Sequence, residues 1–390
     1  METGIPNGGA PGVDGVSIDA LKSTEGAIER VLGEIAEALR GRRYQPQAIR
    51  RVYIPKANGG QRPLGIQTVC DRIVQMAVLL VVEPIFEADF EETSYGFRPR
   101  CSARNALEAI RAGLKSGRRQ VVDADLKACF DLIDHEKLLK CVEKRIADRS
   151  VIGLIRQWLG VEVIERDRDG KENRSRQRQG TPQGGVISPL LANIYLHWLD
   201  RSFRSKTGPG KWADAKIVRY ADDFVILMRR HPEKVMEWLS QLLEGRMGLV
   251  INQQKTTIRN VQLGGESLDF LGYTFAWEGW SRKWGKCPWL SMKPSRKAQE
   301  RFRSQMRELT QSRYRALPIA VLVERVNAYL RGWRQYFGQG HRGTVFNNMN
   351  SFVYGRMLRQ MKGRSQRHLR PSADLTYYRF IYERLGVVRL

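Results

Sequence analysis

Two aspartates side by side, Asp222 and Asp223, stand between the apolar runs Lys216-Ile217-Val218-Arg219 and Phe224-Val225-Ile226-Leu227-Met228. Runs of this length around a short polar turn predict a β-hairpin with the acids at its tip. The fold must therefore bury two strands while holding two like charges together at their turn. Crowded carboxylates repel unless positive charge sits on them. Divalent magnesium suits them, because it takes hard carboxylate oxygens and keeps sites open for substrate phosphates. An Asp-Asp turn also has an ordinary reading, since Asp is a good turn former. The rest of the chain weighs against that reading.

Two-metal phosphoryl chemistry needs one more carboxylate from another strand. Residues 120–135 begin with apolar Val121-Val122, pass through Asp123 and Asp125, and become helix-like from Glu136. A strand ending in acids and turning into a helix presents carboxylates at a sheet edge. Asp125 is the leading candidate, with Asp123, Asp131 and Asp134 as rivals that pattern alone does not separate.

Between these acids lies Gln179-Gly-Thr-Pro-Gln183-Gly-Gly-Val-Ile-Ser188-Pro189-Leu-Leu-Ala-Asn193. Its glycines allow close backbone approach to a ligand. A helix is expected to start near Ser188-Pro189, with Ser188 as N-cap and Pro189 at the first helical position. A helix N-terminus there would favour phosphate.

The motif order carries a resemblance. Asp125-Leu-Lys-Ala-Cys-Phe130, Gly180-Thr-Pro-Gln-Gly-Gly, Tyr220-Ala-Asp-Asp, Gly248-Leu-Val-Ile-Asn-Gln-Gln-Lys255-Thr and Phe270-Leu-Gly-Tyr273 resemble the reverse transcriptases of bacterial group II introns. Upstream, Ile54-Pro-Lys56-Ala-Asn-Gly-Gly-Gln-Arg62-Pro-Leu-Gly and Ser94-Tyr-Gly-Phe-Arg-Pro99 are similar to that family's fingers motifs. The match runs from about Pro11 onward.

The resemblance implies an α+β fold: a right-hand polymerase of fingers and palm with a C-terminal helical thumb or maturase domain. It implies that Asp125, Asp222 and Asp223 are catalytic and hold two Mg2+ ions, with Mn2+ able to substitute. Lys56 and Arg62 are then the grip on the incoming triphosphate. Gln183 packs on the nucleotide, Phe130 blocks a ribose 2′-hydroxyl, and Lys255 helps protonate pyrophosphate. The expected substrates are dNTPs with an RNA template and primer. The expected partners are structured group II intron RNA and target DNA.

Charge points the same way. The net charge is +25, and residues 281–390 hold 24 Lys/Arg against 5 Asp/Glu, a net of +19, while the first 280 hold 42 against 36, a net of +6. A basic region of this kind is a nucleic-acid footprint. Here Arg and Lys interleave with Trp284, Trp289, Tyr329, Trp333, Tyr336 and Phe337. Aromatics can stack on unpaired bases while the cations hold phosphate. Val326–Phe337 resembles the family's thumb helix. Arg331 and Arg334, three apart, share a face and are expected to meet RNA, with Trp333 packing inward.

Five scattered cysteines, never spaced Cys-x-x-Cys, argue for reduced thiols and against a zinc site. No signal peptide is read, which points to the bacterial cytoplasm. The longest apolar run, Ile73–Val82, is too short to span a bilayer and reads as a buried helix.

Three parts are expected: fingers at 1–115 with a short N-terminal extension, palm at 116–275 with some fingers interleaved, and helical thumb/maturase at 276–390. The Gly/Trp-rich stretch Trp277–Trp289 marks the second boundary. Helices are expected near Thr24–Arg40, after Thr68, at Lys293–Thr310 and at Pro318–Tyr336, and strands around Arg51–Leu64. No nuclease segment is read after the thumb, which leaves the primer source open. Two alternatives stand beside intron mobility. One is the same polymerase recruited to a host role, such as phage defence, spacer acquisition or DNA repair. The other is a non-catalytic maturase that only folds RNA, against which the clustered acids argue. Phe130 argues against an RNA polymerase.

Overall fold

The computed structural model describes residues 9–55, 60–166, 171–279, 285, 287–364, 371 and 375–390. They form two compact units. The first comprises residues 1–106 and 122–258, and the second residues 107–121 and 259–390. This division by compactness crosses the three parts read by role from the sequence.

In the first unit, helix Ala27–Arg40 precedes the antiparallel pair Ile49–Pro55 and Gln61–Ile66. Ile49 opens a parallel register with Val163 in strand Glu162–Arg166, which pairs in turn with Glu172–Arg176. Helix Val69–Glu87 starts where expected, because the Thr68 hydroxyl accepts from the Asp71 amide and satisfies an orphan donor of the first turn. The apolar run inside it is not wholly buried: Leu80 and Val81 are 67% and 66% exposed. Only the face carrying Val74, Val82 and Phe86 enters the core.

The aspartate hairpin forms as its pattern predicts. Strands Lys216–Tyr220 and Asp223–Met228 pair from Lys216↔Leu227 to Tyr220↔Asp223, leaving Ala221-Asp222 as the turn. Strand Gln120–Ala124 belongs to the same sheet. Helix Ser188–Arg204 lies in the core with Tyr195, Leu199 and Phe203, together with Val122, Phe224, Ile226 and Met228. Ser188 does not cap this helix. It is the first helical residue, and its hydroxyl donates to the Pro182 carbonyl at 2.8 Å, because the Gly-rich loop folds back over it.

The second unit holds a three-stranded antiparallel sheet, Leu268–Phe270, Tyr273–Glu278 and Trp289–Pro294. Trp277–Trp289 is therefore not a boundary. It connects two strands of one sheet, with Trp277 opposite Leu290. Helices Arg296–Leu309, Ile319–Phe337 and Gly343–Lys362 follow. They bury Phe302, Met306, Leu322, Val326, Leu330, Phe346, Met349 and Met357. Arg356 Nη2 and Gln360 Nε2 each donate to the Thr310 carbonyl at 2.7 Å, closing the C-terminal end of helix Arg296–Leu309. No helix among the described residues is long and apolar enough to cross a membrane. All five cysteines are free thiols.

Candidate active site

Asp125 follows strand Gln120–Ala124 and precedes the short strand Leu126–Lys127, which pairs with Val250–Ile251. That pairing brings the 248–256 segment beside the acid. The Asn252 amide donates to the Asp125 carbonyl at 2.8 Å, and Asn252 Nδ2 donates to Asp125 Oδ2 at 3.0 Å. Lys255 Nζ reaches the same oxygen at 3.1 Å. The Asp125 amide donates to Thr256 Oγ1 at 3.3 Å. Backbone and carboxylate are thus both fixed, and one cation partly neutralises the group.

The rivals of Asp125 have other partners. Asp134 caps helix His135–Glu143 by accepting from the Lys137 amide. Asp131 lies 3.5 Å from Gln183 Nε2. Asp123 stays close enough to Asp223 to raise its carboxyl.

Asp222 and Asp223 sit at the hairpin turn in a crowded negative field. Burial raises the Asp222 carboxyl above its ordinary value. Asp125 adds to that rise, and Arg62 and Arg219 oppose it. Asp223 is solvent-exposed at its surface, yet much of the volume around its carboxyl is protein. That enclosure, then repulsion from Asp222, Asp125 and Asp123, pushes its carboxyl up to about 6. Beneath them burial drives the Cys129 thiol up to about 12, so it carries no charge.

The turn itself is built from a feature that the motif reading passed over. Arg219 is fully buried, within a strand of Ile and Val. Its guanidinium grips the equally buried Asp200 at 2.6 Å and Asn193 Oδ1 at 2.9 Å. It also donates to the Ala221 carbonyl at 2.9 Å. Ala221 has φ +59°, the left-handed conformation that a residue with a Cβ adopts only under support. Asn193 completes the frame by donating to the Gly96 carbonyl at 2.9 Å. The Tyr95 amide donates to the Arg219 carbonyl, and the Arg219 amide to the Thr93 carbonyl. The motif Ser94–Pro99 therefore lies directly against the aspartate hairpin. The sequence signals were a charge inside an apolar strand, a polar Asp200 in a core helix, and Gly96.

Gln183 connects the remaining predicted groups. Its Oε1 accepts from Arg62 Nε at 3.3 Å, and its backbone carbonyl accepts from the Gly65 amide at 2.6 Å. The Thr181 amide donates to the Phe130 carbonyl at 2.7 Å, which seats the Gly-rich loop on the turn carrying half-buried Phe130. Asp125, Asp222, Asp223, Arg62, Phe130, Gln183 and Lys255 all belong to the first unit. Lys56 lies outside the described residues, as does Trp284. In the second unit Arg331 and Arg334 are exposed while Trp333 is buried. Trp333 packs against Phe302, Phe337 and Phe346. Arg334 Nη1 donates to the Arg389 carbonyl at 3.1 Å.

Among the described residues no three His, Cys, Asp or Glu side chains are already drawn together at ion-holding distance. The donor chemistry nevertheless fits hard divalent cations: oxygen ligands only, crowded enough that Asp223 resists ionising.

Comparison with known proteins identifies the family of both regions. Residues 54–275 match the family model described as reverse transcriptase (RNA-dependent DNA polymerase), and residues 299–378 match the group II intron maturase-specific domain. Protein YkfC of Escherichia coli is 36% identical over 296 residues, covering 67% of this chain and 75% of that protein. Group II intron-encoded protein LtrA of Lactococcus lactis is 31% identical over 312 residues, covering 64% of this chain and 50% of LtrA. A solved telomerase from Candida albicans shares the fold, with TM-score 0.51 at 14% identity, covering 89% of this chain and 63% of that one.

Proposed function

The chain belongs to the reverse transcriptase family and is an RNA-directed DNA polymerase with a group II intron maturase domain, and we propose that Asp125, Asp222 and Asp223 run its chemistry with two divalent cations. Mg2+ is the expected ion, with Mn2+ able to replace it. The observation that supports this reading is the gathering of Asp125, Asp222 and Asp223 at the hairpin, where burial first and the neighbouring carboxylates second push the Asp223 carboxyl up to about 6. Lys255, Arg62 and Arg219 offset this repulsion only in part, and a carboxylate cluster left with a raised carboxyl suits added positive charge. Bound there, the ions would neutralise charge developing on the transferred phosphoryl group.

The protein's own groups position the reactants, and positioning carries most of phosphoryl-transfer catalysis. Asn252 and Lys255 orient the Asp125 carboxylate. Arg62, steadied by Gln183, meets the triphosphate of the incoming dNTP, together with Lys56. Phe130, half-buried beside the Gly-rich loop, would block a 2′-hydroxyl and so select deoxynucleotides. The first unit takes RNA template and primer. The second, basic unit binds structured group II intron RNA to assist splicing, and target DNA during mobility.

Primer extension on an RNA template in the presence of Mg2+ tests the reading. Asp222→Asn should lower the rate by several orders of magnitude while leaving the melting temperature and RNA affinity near wild type. Extension by that variant at the wild-type rate would remove Asp222 from the active site.

A further inference from the structure

We infer that Tyr354, Tyr378, Tyr382 and Arg389 form a stacking platform for an unpaired RNA base on the second unit. The inference rests on the maturase reading of that unit and adds a ligand subsite to it.

The three tyrosines form a continuous cluster. Tyr354 and Tyr378 have ring centroids 5.7 Å apart, and Tyr378 and Tyr382 have them 4.8 Å apart. The Arg389 guanidinium lies 5.7 Å from the centroids of both Tyr378 and Tyr382. Tyr378 is 42% exposed, although a ring with two aromatic neighbours would ordinarily bury itself. Arg389 is exposed as well, and Tyr354 and Tyr382 are half-buried.

The segment bearing Arg389 is pinned by dedicated polar groups. Asn327 Nδ2 donates to the Gly386 carbonyl, and Asn327 Oδ1 accepts from the Val388 amide, both at 2.8 Å. Asn350 Oδ1 accepts from the Leu390 amide at 2.9 Å, and Arg334 donates to the Arg389 carbonyl. The Tyr382 hydroxyl donates to the Asn350 carbonyl at 3.2 Å, which fixes that ring too. The Tyr382 ring and the backbone that carries Arg389 are therefore held in place before any ligand arrives, which lowers the entropy lost on binding.

The chemistry of this surface selects its occupant. Planar π-faces beside a guanidinium suit a nucleobase, which stacks on rings or on Arg, with its phosphate attracted to the cation. The surrounding charge is basic: Lys362 lies 5.9 Å from the Tyr377 ring centroid and Arg384 lies 5.9 Å from that of Phe380. Among the described residues, Glu383 on the same segment lies 3.9 Å from Arg379, which offsets its charge. In a duplex the base faces are already stacked, so the platform reads unpaired nucleotides only.

The test measures binding of the full chain to fluorescent RNA by anisotropy, without dNTPs or divalent ions, so the result does not depend on catalysis. The probes are a short single-stranded RNA, single-stranded DNA of the same sequence, and a fully paired RNA. The variants are Tyr378→Leu, Tyr378→Trp and Arg389→Gln, each checked by thermal melting. Tyr378→Leu should weaken single-stranded RNA binding by roughly 5- to 100-fold and leave duplex binding unchanged. Tyr378→Trp should retain or tighten it, and Arg389→Gln should weaken it. If Tyr378→Leu matches wild type, or weakens single strand and duplex equally, the platform is refuted while the RNA-binding role stands. If only the DNA probe responds, the assignment to RNA is refuted. If the wild-type chain binds neither RNA, both readings fail together.

Discussion

Gly96 gives the sharpest test of how the catalytic turn is held. A Cβ at this position would lie 2.1 Å from the Ala221 nitrogen, 2.8 Å from the Tyr220 carbonyl carbon and 2.9 Å from the Ala221 Cα. Its shortest approach thus falls about 1.3 Å short of ordinary contact at 3.4 Å. All three atoms are backbone, so no side chain can rotate away. In Gly96→Ala the clash is relieved only by moving residues 93–97 or the Ala221-Asp222 turn. The turn is tied to Arg219 and the loop to Asn193, and Arg219 and Asn193 bond each other, so relief on either side strains the same network. Overpacking of this kind costs about 1–3 kcal/mol in stability. The catalytic cost is larger, because a displacement of about 1 Å at reacting groups removes roughly 100-fold in rate. The matched control is Gly153→Ala in helix Arg149–Leu159, where a Cβ meets nothing within 4 Å. There alanine should stabilise by up to about 1 kcal/mol through helix propensity and leave activity alone. Single-turnover dNTP addition on an RNA template, with melting curves for both variants, decides the matter. A Gly96→Ala enzyme with wild-type turnover would show that the turn is not held by this contact.

Phe130→Val should raise ribonucleotide incorporation relative to dNTPs in a competitive extension assay; an unchanged ratio would place the sugar gate elsewhere. The Asp223 carboxyl is raised from 3.8 to about 6, so between those values the folded state binds the extra proton and stability falls as pH rises through 6. Asp223→Asn should therefore melt higher than wild type at neutral pH in metal-free buffer and flatten that pH dependence while abolishing synthesis, which paired melts and extension assays would show. Arg331→Glu should weaken RNA binding, and steepen its loss with salt no further, without lowering the melting temperature. Trp333→Ala should lose about 3–5 kcal/mol of stability in a denaturation curve, because it empties a site among Phe302, Phe337 and Phe346.

The parts of this fold that could be read in the sequence are those whose cause is local. The hairpin follows from alternation around Ala221-Asp222, and the helix after Thr68 from a cap three residues before Asp71. Ser188 looked like the same kind of cap, but its hydroxyl turns back to Pro182, a contact set by loop closure rather than by helix chemistry. The boundary at Trp277–Trp289 failed for a related reason: glycines and tryptophans in a hairpin connection resemble those of a linker until the strands on either side are seen to pair. What remained hidden is the long-range polar frame. A charge inside an apolar strand is the one local signal at Arg219, and it does not by itself tell that the guanidinium will be buried, because a long arginine side chain normally reaches water. Its burial becomes tolerable only when Asp200, nineteen residues earlier in the chain, and Asn193 arrive from a helix to take its donors. Isolated ion pairs of this kind add little net stability, yet losing one partner is costly because the other charge stays buried. That asymmetry fits a positioning device better than a stabilising one. The Ala221 carbonyl is fixed only while the whole network is intact, so the geometry of Asp222 and Asp223 is coupled to the folding of the core rather than to the turn alone. Asp200→Asn, which keeps the shape but removes the charge, should therefore depress nucleotide addition more than its loss of stability explains. Equal losses in the two measurements would reduce Arg219 to a structural residue.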